Sequence, residues 1–329
     1  MMADAKTIGA ALAFLALISF TRTAPPEEAE TLHERITLSS VAAREMESGE
    51  ATAEPPRSAN VWQDADALAF ADAAPSSDFY APPQKPERAV PPIGAAIAAV
   101  IRLYDDAPLY ASRTARRYPL ASLTKLMTAV VAAENIGLLK TVTITEEDVL
   151  AEGDAGNFKP GETWSVRDLI GAMFAVSSND AADALARFYD ARLFVNAMQE
   201  KAAMLGMNDT SFFDPSGISP LNQSTAEDLV KLARYIERRH AALLALSATK
   251  EFVMLERNSG VERKLASINE FAGQNDFLGG KTGYTPEAHG NLISLFNADA
   301  SKLLVIVLGT DARFGDTRAL LAWAKALRP

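Results

Sequence analysis

Hydrophobic and polar positions divide the chain near residue 93. Up to that point only residues 8–20 form an apolar run, and residues 24–92 carry no period of either 2 or 3.6. That second stretch holds 10 of the 17 prolines (Pro25, Pro26, Pro55, Pro56, Pro75, Pro82, Pro83, Pro86, Pro91 and Pro92), set among alanine, serine and acids. Such a composition buries too little apolar area to offset chain entropy, so 24–92 reads as a linker. Within it, Trp62 and Phe70 in residues 61–70 are the positions best suited to docking. From residue 93 the pattern becomes regular. Residues 95–104 and 108–111 predict a strand pair turning at Asp105 and Asp106. A helix follows over 120–135, and the middle of the chain, 137–248, is mainly helical, with helical periodicity over 166–174, 181–189 and 193–205. Ser224 and Glu227 have capping-box spacing and open a helix to Arg238. Strands are then predicted over 251–256, 261–268, 277–284, 290–296 and 302–309, with a turn at 297–300, before an amphipathic helix over 314–327. Met204, Met207, Phe212 and Phe213 are assigned to the core. The order strand pair, helices, strands, helix predicts an α+β fold: an antiparallel sheet flanked by helices, its two ends drawn from distant segments, with a helical subdomain inserted between them.

The N-terminus and the charge bear on location and partners. The apolar run of 13 residues is shorter than the roughly 20 needed to span a bilayer and fits a signal-peptide core. Lys6 precedes it, offset by Asp4, and Arg22 lies three residues before a boundary after Ala24. Cleavage and retention therefore both stay open. Residues 1–23 are a signal peptide or membrane anchor, which places the chain outside the cytoplasm and allows membrane association through the N-terminus. Residues 24–88 contribute −8 of the net charge of −10, so the domain expected over 93–329 is nearly neutral. It has no basic stripe for nucleic acid. With no cysteine in the chain, disulfides and thiolate chemistry are excluded. His33 and His240 have no partners at ligand spacing, so neither a metal nor a cofactor is implied.

Three short motifs follow in order: Ser122-Leu123-Thr124-Lys125, Ser177-Ser178-Asn179 and Lys281-Thr282-Gly283. Each is weak by itself, and their structural contexts give them force. Ser122 falls at the start of a helix after an extended segment, where unpaired N–H groups and the helix dipole favour negative charge. Lys125, three residues on, shares its face. Burial and the neighbouring charge of Lys281 would lower its pKa toward the range of a useful base. Ser177 and Asn179 interrupt an apolar pattern between two helices; Ser177 suits proton relay to a leaving amine, and Asn179 suits a substrate amide and Lys125. Lys281 and Thr282 lie on a strand framed by Gly279 and Gly280, where an extended peptide can pair. Thr282 would bond a terminal carboxylate there, with Lys281 supplying field. His289 is given a structural role.

The stretches 121–129, 177–182 and 279–288, with Thr210-Ser211-Phe212, Asp214-Pro215-Ser216-Gly217 and Ser224-Thr225-Ala226, resemble the D-alanyl-D-alanine carboxypeptidase family over residues 94–329. These are the low-molecular-weight penicillin-binding proteins, relatives of serine β-lactamases. The resemblance implies the β-lactamase/transpeptidase-like fold and peptidoglycan stem peptides as substrate. It also implies covalent inhibition by β-lactams, an acyl-enzyme on Ser122 with Lys125 as base, and an oxyanion hole from the N–H groups of Ser122 and Tyr284. Gly283 and Tyr284 thus join Lys281 and Thr282 as substrate-binding residues. The sequence departs from the family where some members carry a carboxylate-binding arginine, a place taken here by Ile268 beside Asn269. That departure gives weight to a DD-endopeptidase acting on crosslinks as the alternative to a carboxypeptidase. A β-lactam sensor is a further reading. A β-lactamase fits less well, because residues 183–275 contain no Glu-x-x-Leu-Asn pattern.

Overall fold

The computed structural model describes residues 88–327, apart from 106, 151–152, 154 and 299–300. The apolar run at 8–20 and the expected linker as far as residue 87, including Trp62 and Phe70, lie outside the described residues. A five-stranded antiparallel sheet organises the rest, in the order β2-β1-β11-β10-β9. Its strands are β1 (Ile97–Arg102), β2 (Ala107–Ser112), β9 (Phe277–Thr285), β10 (His289–Ala298) and β11 (Ser301–Thr310). The two ends of the sheet therefore come from segments more than 160 residues apart, as the sequence pattern requires. Strand β11 shows why the sheet sits at the centre. Leu304, Ile306 and Leu308 face one apolar cluster while Leu303, Val305 and Val307 face another, and all six are buried. A strand covered on both faces reads as a continuous hydrophobic run.

The first cluster is roofed by the helical insertion: α1 (Lys125–Val131), α2 (Val166–Ala175), α3 (Asn179–Tyr189), α4 (Ala191–Met204), α5 (Ala226–Arg239) and α6 (Ala241–Ala248). The second is closed by the final helix, α7 (Arg313–Lys325), through Leu320, Leu321 and Trp323 over Phe271, Phe277 and Phe296. Short strand pairs join β3 (Tyr118–Pro119) to β6 (Gln223–Ser224), β4 (Thr141–Thr143) to β5 (Thr163–Ser165), and β7 (Glu251–Leu255) to β8 (Glu262–Ala266).

Four expectations are corrected. The helix expected over 120–135 is a 3₁₀ turn at Ala121–Thr124, then α1, then a π-turn at Ala132–Ile136 that ends on Gly137 with φ +97°. Ala121 at φ +49° cannot continue a helix, so the chain enters by a tight turn. The cap of α5 is Thr225, whose Oγ1 accepts from Asp228 N at 3.1 Å. Ser224 is held in β6 opposite Tyr118, with its hydroxyl 2.7 Å from that of Thr210. Met207 and Phe212 are core residues, but Met204 and Phe213 are exposed. The buried stripe of α4 runs Phe194, Met198, Ala202, and Met204 falls off it. Phe213 sits in a turn that Asn222 holds by the backbone. Finally, packing begins before residue 93: Val90 and Ile93 lie on the second cluster, and the Trp323 indole donates to the Arg88 carbonyl at 3.1 Å.

Candidate active site

The turn carrying Ser122 is fixed from three sides. From β10, the Asn291 amide donates to the carbonyls of Pro119 (2.9 Å) and Leu120 (3.1 Å) while its oxygen accepts from Gly309 N. From the loop before β6, the Asn222 carbonyl accepts from Leu120 N at 2.8 Å. The third support is contact with Gly217, which has φ +86°; a Cβ there would stand 1.9 Å from the Ala121 carbonyl oxygen, so only glycine fits. Together these hold Ala121 in its left-handed conformation, a strain that persists only where its surroundings over-determine it.

Lys125 is fully buried. Its Nζ donates to Ser122 Oγ at 2.9 Å, Asn179 Oδ1 at 2.6 Å and the Ser216 carbonyl at 2.6 Å. Three acceptors match the three N–H bonds of an ammonium, and the neutral amine turns a lone pair toward one of them. Burial pushes the group down to about 7, and the Asp214 and Asp183 carboxylates limit the fall. Asp214 organises the loop that delivers the Ser216 carbonyl. Its Oδ1 accepts from Ser216 N, Ser216 Oγ and Gly217 N, and its Oδ2 from Ser219 N and Asn222 Nδ2. Asp183 lies one turn beyond Asn179 on α3, on the same face. Burial first, and the Asp214 carboxylate next, raise its carboxyl to about 7.

The second and third motifs meet each other. Ser177, at φ +61°, accepts from Lys281 Nζ at 2.9 Å, and the same nitrogen reaches the Thr282 carbonyl at 2.7 Å. Lys281 is buried, and that burial, then the charges of Lys125 and Arg313, drive its ammonium well below the ordinary lysine range. Of the two causes the sequence offered for a depressed Lys125, burial acts in the structure, and the Lys281 charge does not contribute. Strand β9 is the edge of the sheet, so alternate backbone groups face the cleft unpaired by a neighbouring strand. At Gly283 the strand passes against the Ser122 turn: a Cβ there would lie 3.2 Å from Ser122 N and 3.0 Å from the Leu120 carbonyl. Thr282 is buried, while the Tyr284 side chain points into solvent. All eight site residues expected from the sequence thus gather at one end of β9. His289 stands apart, exposed at the start of β10, with Nδ1 3.2 Å from Asp311 Oδ1.

Arg313, at the start of α7, was not anticipated. Its Nη1 donates to the Gly283 carbonyl at 3.2 Å, and it lies over Gly290, where a Cβ would stand 3.4 Å from its Cδ. Burial lowers its pKa. The place the sequence assigned to a missing arginine is occupied differently: Ile268 is exposed, and buried Asn269 uses Oδ1 to hold Phe271 N. No local signal marks Arg313, because only the sheet order, with β10 alone between β11 and β9, brings the segment after β11 within reach of the Gly283 carbonyl.

A serine hydroxyl bonded to a buried, depressed lysine, beside an exposed sheet edge, defines a serine hydrolase that takes extended peptides. The family model described as D-alanyl-D-alanine carboxypeptidase, peptidase S11, matches residues 85–312. The chain belongs to that family and is a serine-type DD-peptidase. It is 28% identical to the D-alanyl-D-alanine carboxypeptidase DacB2 of Mycobacterium tuberculosis, over 74% of this chain and 88% of that protein. A D-alanyl-D-alanine endopeptidase of Pseudomonas aeruginosa is 31% identical over 62% of this chain and 69% of its own length. Among solved structures, a D-alanyl-D-alanine carboxypeptidase of M. tuberculosis aligns with a TM-score of 0.68 at 28% identity, covering 75% of this chain and 97% of that one. The Streptomyces K15 DD-transpeptidase aligns with a TM-score of 0.67 at 25% identity, covering 73% and 100%. These likenesses bear out the β-lactamase/transpeptidase-like α+β fold.

Proposed function

We propose that the protein is a D-alanyl-D-alanine carboxypeptidase of peptidoglycan stem peptides that acts through an acyl-enzyme on Ser122. The observation that carries this reading is the 2.9 Å bond between Lys125 Nζ and Ser122 Oγ at a lysine depressed to about 7. A base poised near neutral pH is the most effective at taking a hydroxyl proton. The peptide lies along β9, with its scissile carbonyl at the Ser122 turn. The Ser122 proton passes to the Lys125 amine as Oγ bonds to the carbonyl carbon. The N–H groups of Ser122 and Tyr284 receive the developing oxyanion. The C–N bond then breaks and the leaving amine takes a proton through Ser177, which Lys281 holds. Water hydrolyses the ester: its oxygen bonds to the acyl carbon, the bond to Ser122 Oγ breaks, and one of the water protons passes by way of Lys125 to Ser122 as the acid leaves. Asn179 fixes Lys125 and meets the substrate amide. β-Lactams acylate the same hydroxyl and stay as esters.

Arg313 with Thr282 binds the terminal carboxylate of the substrate. This revises the argument that the residues at 268 and 269 leave that carboxylate unheld. Endopeptidase action on crosslinks is the second reading, favoured by a depression in the surface beyond Arg313.

The substrate lies outside the cytoplasmic membrane, so the proposal requires export, with residues 1–23 as signal or anchor, residues 24–87 as tether and the catalytic domain beginning at Arg88.

Ser122→Ala should abolish labelling by a fluorescent penicillin, and Lys125→Ala should slow acylation about 10³-fold. Full labelling of folded Ser122→Ala, or a loss of only a few-fold in Lys125→Ala, contradicts the roles given. Arg313→Gln should lower the preference for a pentapeptide over its C-terminal amide about tenfold or more, since each 1.4 kcal/mol of a charge-assisted bond is a factor of ten; an unchanged preference removes Arg313 from carboxylate binding. A chain of residues 88–329 should be acylated as fast as the whole chain yet remain in the cytoplasm, while the whole chain reaches the envelope fraction. An inactive short chain overturns the boundary, and a cytoplasmic whole chain overturns export.

A further inference from the structure

Strand β9 is the edge of the sheet, so no strand supports it on its outer side. Its first part is irregular: Leu278 is an extra residue in the pairing with β10, and Gly279 follows at φ +140°. Neither Gly279 nor Gly280 has room for a side chain. A Cβ would stand 2.4 Å from the Leu244 carbonyl oxygen at Gly279 and 2.2 Å from the Ile293 carbonyl oxygen at Gly280. Bare backbone therefore passes between α6 and β10, and the next residue is Lys281. Against the same two glycines lies a void of about 20 Å³, walled by Leu126, Leu244, Ile293 and Ser294 among others. The Ser294 hydroxyl is fully buried and has no hydrogen-bond partner among the described residues. Atoms that line a void lose the contacts that would prop them, so packing alone leaves the strand slack just before Lys281.

Ser247 takes up that slack. Buried on α6, its Oγ accepts from Gly280 N at 2.9 Å and donates to the Leu244 carbonyl at 2.6 Å. With its proton and a lone pair both engaged, the hydroxyl is fixed in direction. One residue on, Lys281 Nζ donates to Ser177 Oγ at 2.9 Å and to the Thr282 carbonyl at 2.7 Å. Ser247, Gly280, Lys281 and Ser177 thus form a line from α6 to the serine that serves the leaving amine. The supports of the Ser122 turn, from Asn291, Asn222 and Gly217, lie outside this line.

We infer that Ser247 is a positioning residue for proton transfer to the leaving amine: through Gly280 it sets where Lys281 holds Ser177. It takes no part in the attack of Ser122 on the carbonyl. In the step it serves, the C–N bond breaks with its electron pair on nitrogen, and Ser177 delivers to that nitrogen the proton that Lys125 took from Ser122. The inference rests on the DD-peptidase reading, in which Ser177 carries this proton. A leaving group that needs no proton, such as a thiolate, is indifferent to Ser247.

The test compares two substrates with the same donor peptide, one an amide ending in D-alanine and the other a thiolester ending in thiolactate. The ratio of their kcat/KM values, amide to thiolester, removes any effect on binding or folding that both share. Ser247→Ala is expected to lower this ratio about tenfold or more, since small displacements of a catalytic group are costly. Thiolester cleavage is expected to stay within about twofold of wild type, while penicillin acylation slows with the amide because a lactam nitrogen also takes a proton. In a Ser177→Ala background the relay is already lost, so adding Ser247→Ala is expected to leave the ratio unchanged. Ser247→Cys, similar in shape with a weaker acceptor, is expected to fall between wild type and Ser247→Ala, and it replaces the alanine variant if that does not fold. A wild-type ratio in folded Ser247→Ala, or equal losses on both substrates, overturns the inference. So does a further drop in the Ser177→Ala background, which would mean that Ser247 acts by another route. A wild-type protein that cleaves neither substrate and is not acylated by penicillin fails at the DD-peptidase reading instead.

Discussion

Burying the Lys125 amine in the helical insertion is the constraint on which the rest of the site depends. Its three acceptors are a hydroxyl, an amide oxygen and a backbone carbonyl, none of them a carboxylate. A buried ammonium without a directly paired anion is costly, so its proton comes off near neutrality. Asp214 and Asp183 stand close enough to limit the fall and too far to bond the nitrogen, and their balance with burial places the group at about 7. A carboxylate in direct contact would restore an ordinary lysine, and their absence would leave an amine too weakly basic to take the proton from a serine.

That balance explains much of the surrounding architecture. The Ser216 carbonyl reaches Lys125 because Asp214 collects five donors from its own loop. The loop closes on the Ser122 turn because Gly217 has no side chain, and Asn291 ties the same turn to the sheet. Glycine at 283 then lets the edge strand approach the serine from the other side. Nucleophile, base and peptide-binding edge are thus held by three parts of the chain more than 60 residues apart, and none can shift without the others. Lys281 follows a different logic. Held by Ser177 and the Thr282 carbonyl and stripped of solvent, its amine joins the second motif to the third more than it supplies positive field.

Much of this was legible in the sequence because it is local or periodic. The apolar runs between turn signals gave the strands of the sheet, and serine and lysine three residues apart gave the reactive pair. What was not legible depends on distant segments meeting. Arg313 belongs to the site only because β10 lies between β9 and β11. Asp183 matters only because α3 faces the Asp214 loop. The break in the first helix at Ala121 follows from contact with Gly217, nearly a hundred residues away. The Ser224 capping signal misled because a strand pairing claimed that serine and passed the cap to Thr225.

The balance at Lys125 is open to direct measurement. The side-chain nitrogen of Lys125 is titrated by NMR in the folded protein, and the rate of penicillin acylation is followed over the same pH range. The nitrogen is predicted to titrate near pH 7, and the acylation rate to fall below that pH with the same midpoint, because protonation removes the base. Neutralising a nearby anion in Asp183→Asn should move both midpoints lower together. A Lys125 nitrogen that stays protonated to about pH 10 while acylation proceeds at full rate at neutral pH would contradict the account.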